Sequence, residues 1–229
     1  MQGAAAERQM TPEQEAQILR FTDIGLRWIT EQITFDDVKQ TLGTPKKFEA
    51  TGDHIIDYAY FRQGMTIDFV YNKRKSAHGQ PGIDSFRLRV SDGIRTTIPY
   101  HRFESLGLHR LVRGESIDGV RIEEGDFFVP VGIADASRFY PENLLAFNYR
   151  FPMPPDSRFD VYASLGYLGE WNDDSAAMAE LSRVRKAVDL RDIGISRHYL
   201  TPEELEQRRL AKRQKVPHVD ESTYRHDLP

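Results

Sequence analysis

Apolar residues recur at helical spacing in the first forty positions, and the pattern then switches to alternation. Met10-Thr11-Pro12-Glu13-Gln14 opens a helix, with Thr11 as cap, Pro12 at the first helical position and Gln14 three residues past the cap. Ile18, Phe21, Ile24, Leu26, Trp28 and Ile29 form its approximate buried face and carry the helix to about residue 32. A second start at Thr34, with Asp37 three residues on, leads through Val38 and Leu42 to the stop Gly43-Thr44-Pro45 and predicts a short helix over 35–42. From there the period is two. IIDYAYF and MTIDFVY, separated by Arg62-Gln63-Gly64, read as an antiparallel hairpin. A loop is expected over 72–82, then a strand over 86–90 (FRLRV), a turn at Ser91-Asp92-Gly93 and a fourth strand over 94–98.

The second half has a weaker rhythm. Phe103 to Arg113 reads as a short helix interrupted by Gly107, and GVRIEEGDFF as strand, turn and strand. An aromatic-rich strand from Leu144 and the segment RFDVYASL flank the turn PMPPD and resemble a second hairpin. Ser175 to Asp189 is predicted as a helix facing inward with Met178, Leu181, Val184 and Val188. Residues 190–200 read as a linker, and Thr201-Pro202-Glu203-Glu204 opens a highly charged helix to about 213 whose few apolar residues suit a solvated or loosely docked element. A sheet with one apolar face needs helices to cover it. The expected fold class is therefore α+β: N-terminal helices packed on an antiparallel β-meander, a second antiparallel β-rich half, and C-terminal helices. The expected division is a flexible tail over 1–10, an α+β subdomain over 11–98, a β-rich subdomain over 99–171 packed on the first, and C-terminal helices and tail over 172–229.

Composition narrows the chemistry. The 229 residues contain no cysteine, which excludes disulfides, thiolate nucleophiles and cysteine-ligated metals. No run approaches the length of a membrane span, and MQGAAAERQM lacks the apolar core of a signal peptide, so a soluble, cytoplasmic protein without a membrane role is expected. The formal net charge of −4 argues against general nucleic-acid binding, which draws on a basic excess. The seven histidines form no compact ligand spacing, HGQPGID lacks the lysine and the setting of a phosphate loop, and no serine sits in a nucleophile elbow. No catalytic residue, metal or cofactor is expected on these grounds.

Two surfaces stand out. Asp57 and Asp68 lie in neighbouring predicted strands and on one face present negative potential to a basic partner. The adjoining loop adds Arg74 and Lys75, and Tyr149, Arg150, Arg158 and Tyr162 bring tyrosine beside arginine, a common interface composition. These eight residues are the candidate partner-binding set.

Residues 33–72, ITFDDVKQTLGTPKKFEATGDHIIDYAYFRQGMTIDFVYN, resemble a bacterial pattern in which a short helix with DDVKxxLGxP precedes two aromatic-bearing strands. Val38, Leu42, Gly43 and Pro45 match the helix end, and Tyr58 and Tyr60 the first strand. The pattern is similar to outer-membrane assembly lipoproteins of the SmpA/OmlA type and to bacterial immunity proteins that neutralise secreted or contact-delivered toxins. The lipoprotein form carries a signal sequence and a lipidated cysteine, neither of which this sequence shows. The resemblance therefore implies an immunity protein whose partner is a cognate toxin or effector and which acts by covering the toxin's active site. The alternatives from other classes are a hydrolase with a dispersed site and an adaptor docking through its charged C-terminal helix.

Overall fold

The computed structural model describes residues 8–49, 52, 54–77, 80–111, 116–117, 120–121, 128–130, 143–171 and 184–215. The first elements are β1 (Arg8–Gln9), α1 (Pro12–Ile29), α2 (Phe35–Leu42), β2 (Lys46–Phe48), β3 (Ile55–Arg62), β4 (Met65–Ala77), β5 (Gln80–Val90) and β6 (Ile94–Arg95). A 3-10 helix (Tyr100–Leu106) precedes β7 (His109–Arg110), β8 (Ser116–Ile117), β9 (Val120–Arg121) and β10 (Phe128–Pro130). Then come β11 (Asn143–Phe151), β12 (Phe159–Trp171), β13 (Val184–Tyr199) and α3 (Pro202–Lys215). The fold is α+β.

Both N-terminal helices start as their sequences dictate. Thr11 accepts from Gln14 N while the Gln14 side chain accepts from Thr11 N, and Thr34 and Asp37 repeat the reciprocal arrangement. α1 stops at Ile29, three residues earlier than its apolar pattern suggests, and Glu31 at φ 62° turns the chain away. Gly43 closes α2 at φ 84°, where a side chain is disfavoured.

One antiparallel sheet runs in the order β10-β11-β12-β13-β5-β4-β3-β2, with β7 also paired to β11. Its covered face carries Tyr60, Ile67, Phe69, Phe86, Leu88, Ile193, Ile195, Ala163, Leu165, Phe147 and Tyr149, all buried. α1 lies on this face with Ile18, Phe21, Ile24, Leu26, Trp28 and Ile29 inward, as its pattern predicts. The Trp28 ring meets Phe69 and Tyr71 edge-on at 5.0 and 5.4 Å, and its indole N–H donates to the Tyr71 hydroxyl at 3.3 Å.

Several expectations are corrected. The segment 72–82 is largely strand: β4 and β5 run on as a two-stranded ribbon to Ala77 and Gln80. The fourth strand shrinks to Ile94–Arg95, which pairs in parallel with Arg8–Gln9, so the last part of the supposed tail is tied down. The stretch from Phe103 is the end of a 3-10 helix closed by Gly107 in the left-handed region. β9 and β10 fall at the two ends of the expected strand-turn-strand, whose turn lies outside the described residues. The largest error is at 184–200. The C-terminal part of the expected helix, with Val184 and Val188, and the linker after it form β13, a strand between β12 and β5. Met178 and Leu181 lie outside the described residues. β13 joins the strands of both halves into one sheet. A bulge at Asp189, φ 71°, bends it; the Asp189 carboxylate accepts from Thr96 N at 3.1 Å, and the Thr96 hydroxyl accepts from Leu190 N at 2.7 Å.

α1 packs tightly against the sheet at Gly25. A Cβ there would fall 2.5 Å from the ring of Phe86, which is fully buried. Alanine gains about 1 kcal/mol of helix propensity over glycine, whereas forcing a methyl into a filled core costs about 1–3 kcal/mol. Gly25→Ala is expected to lower the unfolding free energy by up to about 2 kcal/mol, the overpacking cost less the propensity gain, read as a lower urea midpoint at unchanged slope.

Candidate functional site

Because side chains alternate along each strand, the helix-free face of the sheet reads as three rows. One runs Phe48, Asp57, Val70, Ser85, Ser196, Tyr162, Arg150. The next runs Lys46, Ala59, Asp68, Arg87, Gly194, Ser164, Asn148, and the third Phe61, Thr66, Arg89, Asp192, Gly166. Small residues make the middle of this face low, and charged ones stand over it. At the β2–β3 end a hollow of about 470 Å³ is lined by Phe48, Asp57, Phe61, Asp68, Arg89 and Asp192 among others. Phe48 and Phe61, 48% and 56% exposed, are the only large apolar side chains exposed on the sheet among the described residues.

Asp57 and Asp68 share the helix-free face in adjacent rows, Asp57 opposite Val70 and Asp68 opposite Ala59, but they do not form a flat negative patch. Asp68 is 2% exposed and accepts from Arg89 Nη2 at 2.9 Å, so its charge is compensated within the sheet. Asp57 is half-buried and its Oδ1 has no hydrogen-bond partner among the described residues. Burial, and then Asp68, push its carboxyl up to about 6 against the pull of Arg87 and Arg89. Asp192 is raised as well, by burial opposed by Arg89. Its carboxylate occupies the space above Gly166, where a Cβ would lie 2.6 Å from Oδ2.

The other six candidate residues separate. Arg150 and Tyr162 are a cross-strand pair at the far side of the same face. Tyr149 is corrected: it is 0% exposed on the covered face, and its hydroxyl donates to Tyr100 O at 3.5 Å, so it offers nothing to a partner. Arg74, Lys75 and Arg158 meet at the mouth of a larger cavity of about 1030 Å³, between the end of α1, the β4–β5 ribbon and the 152–158 loop. Sequence reasoning missed three residues here. Phe159, Arg197 and Tyr199 line that cavity, and the last two sit in the stretch read as a linker. The signal available was the alternation Arg191, Ile193, Ile195, Arg197, Tyr199, obscured by arginines at inward positions.

α3 is docked at the end of the sheet: Arg208 donates to both oxygens of Asp160 at 2.7 and 2.9 Å, and His198 lies 3.5 Å from Glu204. Among the described residues no group of three His, Asp or Glu is placed to hold a metal ion, and no helix is long and apolar enough to cross a membrane. No protein family, curated protein or solved structure matches the chain.

The raised carboxyl of Asp57 has a definite consequence for stability. The folded state holds its proton more tightly than the unfolded chain, whose aspartates titrate near 3.9. Stability from this group is therefore present at acid pH and lost as pH rises from about 4 to 6. Asp57→Asn is expected to flatten that part of the pH–stability curve and to stabilise the protein at pH 8 by about 1 kcal/mol, the figure being discounted because the group is partly solvated. Urea unfolding from pH 4 to 8 measures both.

Proposed function

We propose that the chain is a binding protein of the toxin-neutralising immunity type, which holds a cognate toxin or effector on the helix-free face of its sheet and covers the partner's active site. The observation that carries this reading is the pair Phe48 and Phe61, exposed aromatic anchors beside charged residues that stand over a low floor. Exposed aromatics among charges are the composition in which a few residues supply most of an interface's affinity. The compensated Asp68–Arg89 pair and the protonatable Asp57 reduce the negative field at this end, so apolar contact rather than charge dominates the expected docking energy.

A hydrolase is the second reading, and Asp57 favours it: a carboxyl raised to about 6 beside a second carboxyl in a hollow is the kind of group that exchanges protons near neutrality. Asp192 is too far away to complete such a pair. It lies three strands from Asp57 in the sheet order and four residues along from Ser196, which is level with Asp57, so the two are on the order of 19 Å apart at about 4.8 Å per strand and about 3.3 Å per residue, beyond the roughly 5–9 Å over which paired carboxylates act.

The two readings separate on two variants. With the protein encoded by the adjacent open reading frame as the partner, Phe48→Glu with Phe61→Glu is expected to weaken binding tenfold or more and to abolish protection of cells expressing that protein. Asp57→Asn is expected to leave both within about twofold. Unchanged affinity in the double phenylalanine variant, measured by calorimetry on protein of unchanged circular dichroism, rejects the proposed face.

A further inference from the structure

Arg197 is an arginine at an inward-facing position of a central strand. Its side chain is 2% exposed. Its Nε donates to Ile29 O at 2.5 Å, the carbonyl that ends α1, and Nη1 donates to Glu31 Oε1 at 2.9 Å and to the Tyr199 hydroxyl at 3.3 Å. The guanidinium lies 3.9 Å from the centroid of the Phe159 ring. Closing a helix C-terminus accounts for Nε, and the ion pair with Glu31 accounts for Nη1. Nothing accounts for Nη2, which is buried and makes no hydrogen bond among the described residues. A buried charged donor left unmade is costly, and a planar fork with one arm unpaired is a donor that a carboxylate or phosphate oxygen reaching it would satisfy.

Arg197 lines the cavity of about 1030 Å³ described above, a volume that suits a small organic ligand. The charged side chains lining it are Arg74, Lys75, Arg158 and Arg197 against Glu31 and Asp156. Lys75 is paired with Asp84 at 2.8 Å, whereas neither Arg74 nor Arg158 has a carboxylate within 4.0 Å among the described residues. Tyr71, Ile83, Met153, Pro154, Phe159 and Tyr199 supply apolar and aromatic wall. Glu31, which holds the other arm of the guanidinium, does so from a left-handed backbone conformation that is rare for glutamate and is retained where surrounding contacts hold it.

We propose that this cavity binds a small organic anion, with the ligand's carboxylate or phosphate on Arg197 and its apolar or aromatic body against Phe159, Tyr199 and Met153. Arg74 and Arg158 at the mouth draw the anion in, and Glu31 competes with it for the guanidinium. The site is separate from the helix-free face and stands whether or not that face holds a toxin.

Naphthoate and naphthyl phosphate, with naphthalenemethanol as the neutral control, test the site by calorimetry and thermal shift on the full chain. Both anions are expected to bind with dissociation constants below about 1 mM and at least tenfold more tightly than the alcohol; the tighter of the two identifies the head group. Arg197→Met is expected to remove the preference for the anions. Arg74→Ala with Arg158→Ala, both outside the core, is expected to weaken them at least threefold, and it decides alone should Arg197→Met fail to fold. Glu31→Gln, which removes the competing carboxylate, is expected to tighten them severalfold, an effect that a purely structural Arg197 would not produce. Anions that bind no better than the alcohol, or that bind the folded variants as they bind the parent, overturn the proposal.

Discussion

The antiparallel pairing of β13 with β5 is the contact on which the structure rests. Ser85 to Arg89 meet Ser196 to Asp192 in five consecutive pairs, and without them the strands β2–β5 and β10–β12 have no common sheet. The same pairing places Ile193 and Ile195 beside Leu88 and Phe86, under α1. It also brings Arg197 beneath the last carbonyl of α1 and sets Asp192 against Arg89 on the opposite face. Core, cavity and open face thus share one seam.

Local signals carried the first half. Two reciprocal caps, a glycine-terminated short helix and a hairpin with alternating aromatics are each written within one short stretch of chain, so their structure follows from nearest-neighbour chemistry. The β11–β12 hairpin was legible for the same reason. β13 was not. Its covered face presents Arg191 and Arg197 where a strand pattern asks for apolar residues, and besides their near neighbours Asp189 and Tyr199 both are held by distant groups: Ile94 O for the first, Ile29 O and Glu31 for the second. A residue whose partner is more than ninety positions away in sequence reads as a surface charge until the fold is known.

The candidate site divides along the same line. Asp57 and Asp68 were legible as a pair because strand alternation fixes which side chains share a face, yet their charges were not, since Arg89 compensates Asp68 from a third strand. Tyr149 failed for the converse reason: being one residue from Arg150 on a strand places it on the opposite, covered face. The meeting of Arg74, Lys75 and Arg158 depends on the ribbon formed by β4 and β5, which the sequence presented as a loop.

The position of β13 in the chain also sets a timetable for synthesis. β5 is complete at Val90, but the strand that covers its outer edge begins about a hundred residues later. At about 5–20 residues per second on the ribosome, that edge waits roughly 5–20 s for its partner, presenting unpaired backbone groups to any other extended chain. The arginines at 87 and 89, which alternate with apolar residues along it, keep a charged side on the waiting strand and make it a poor template for aggregation.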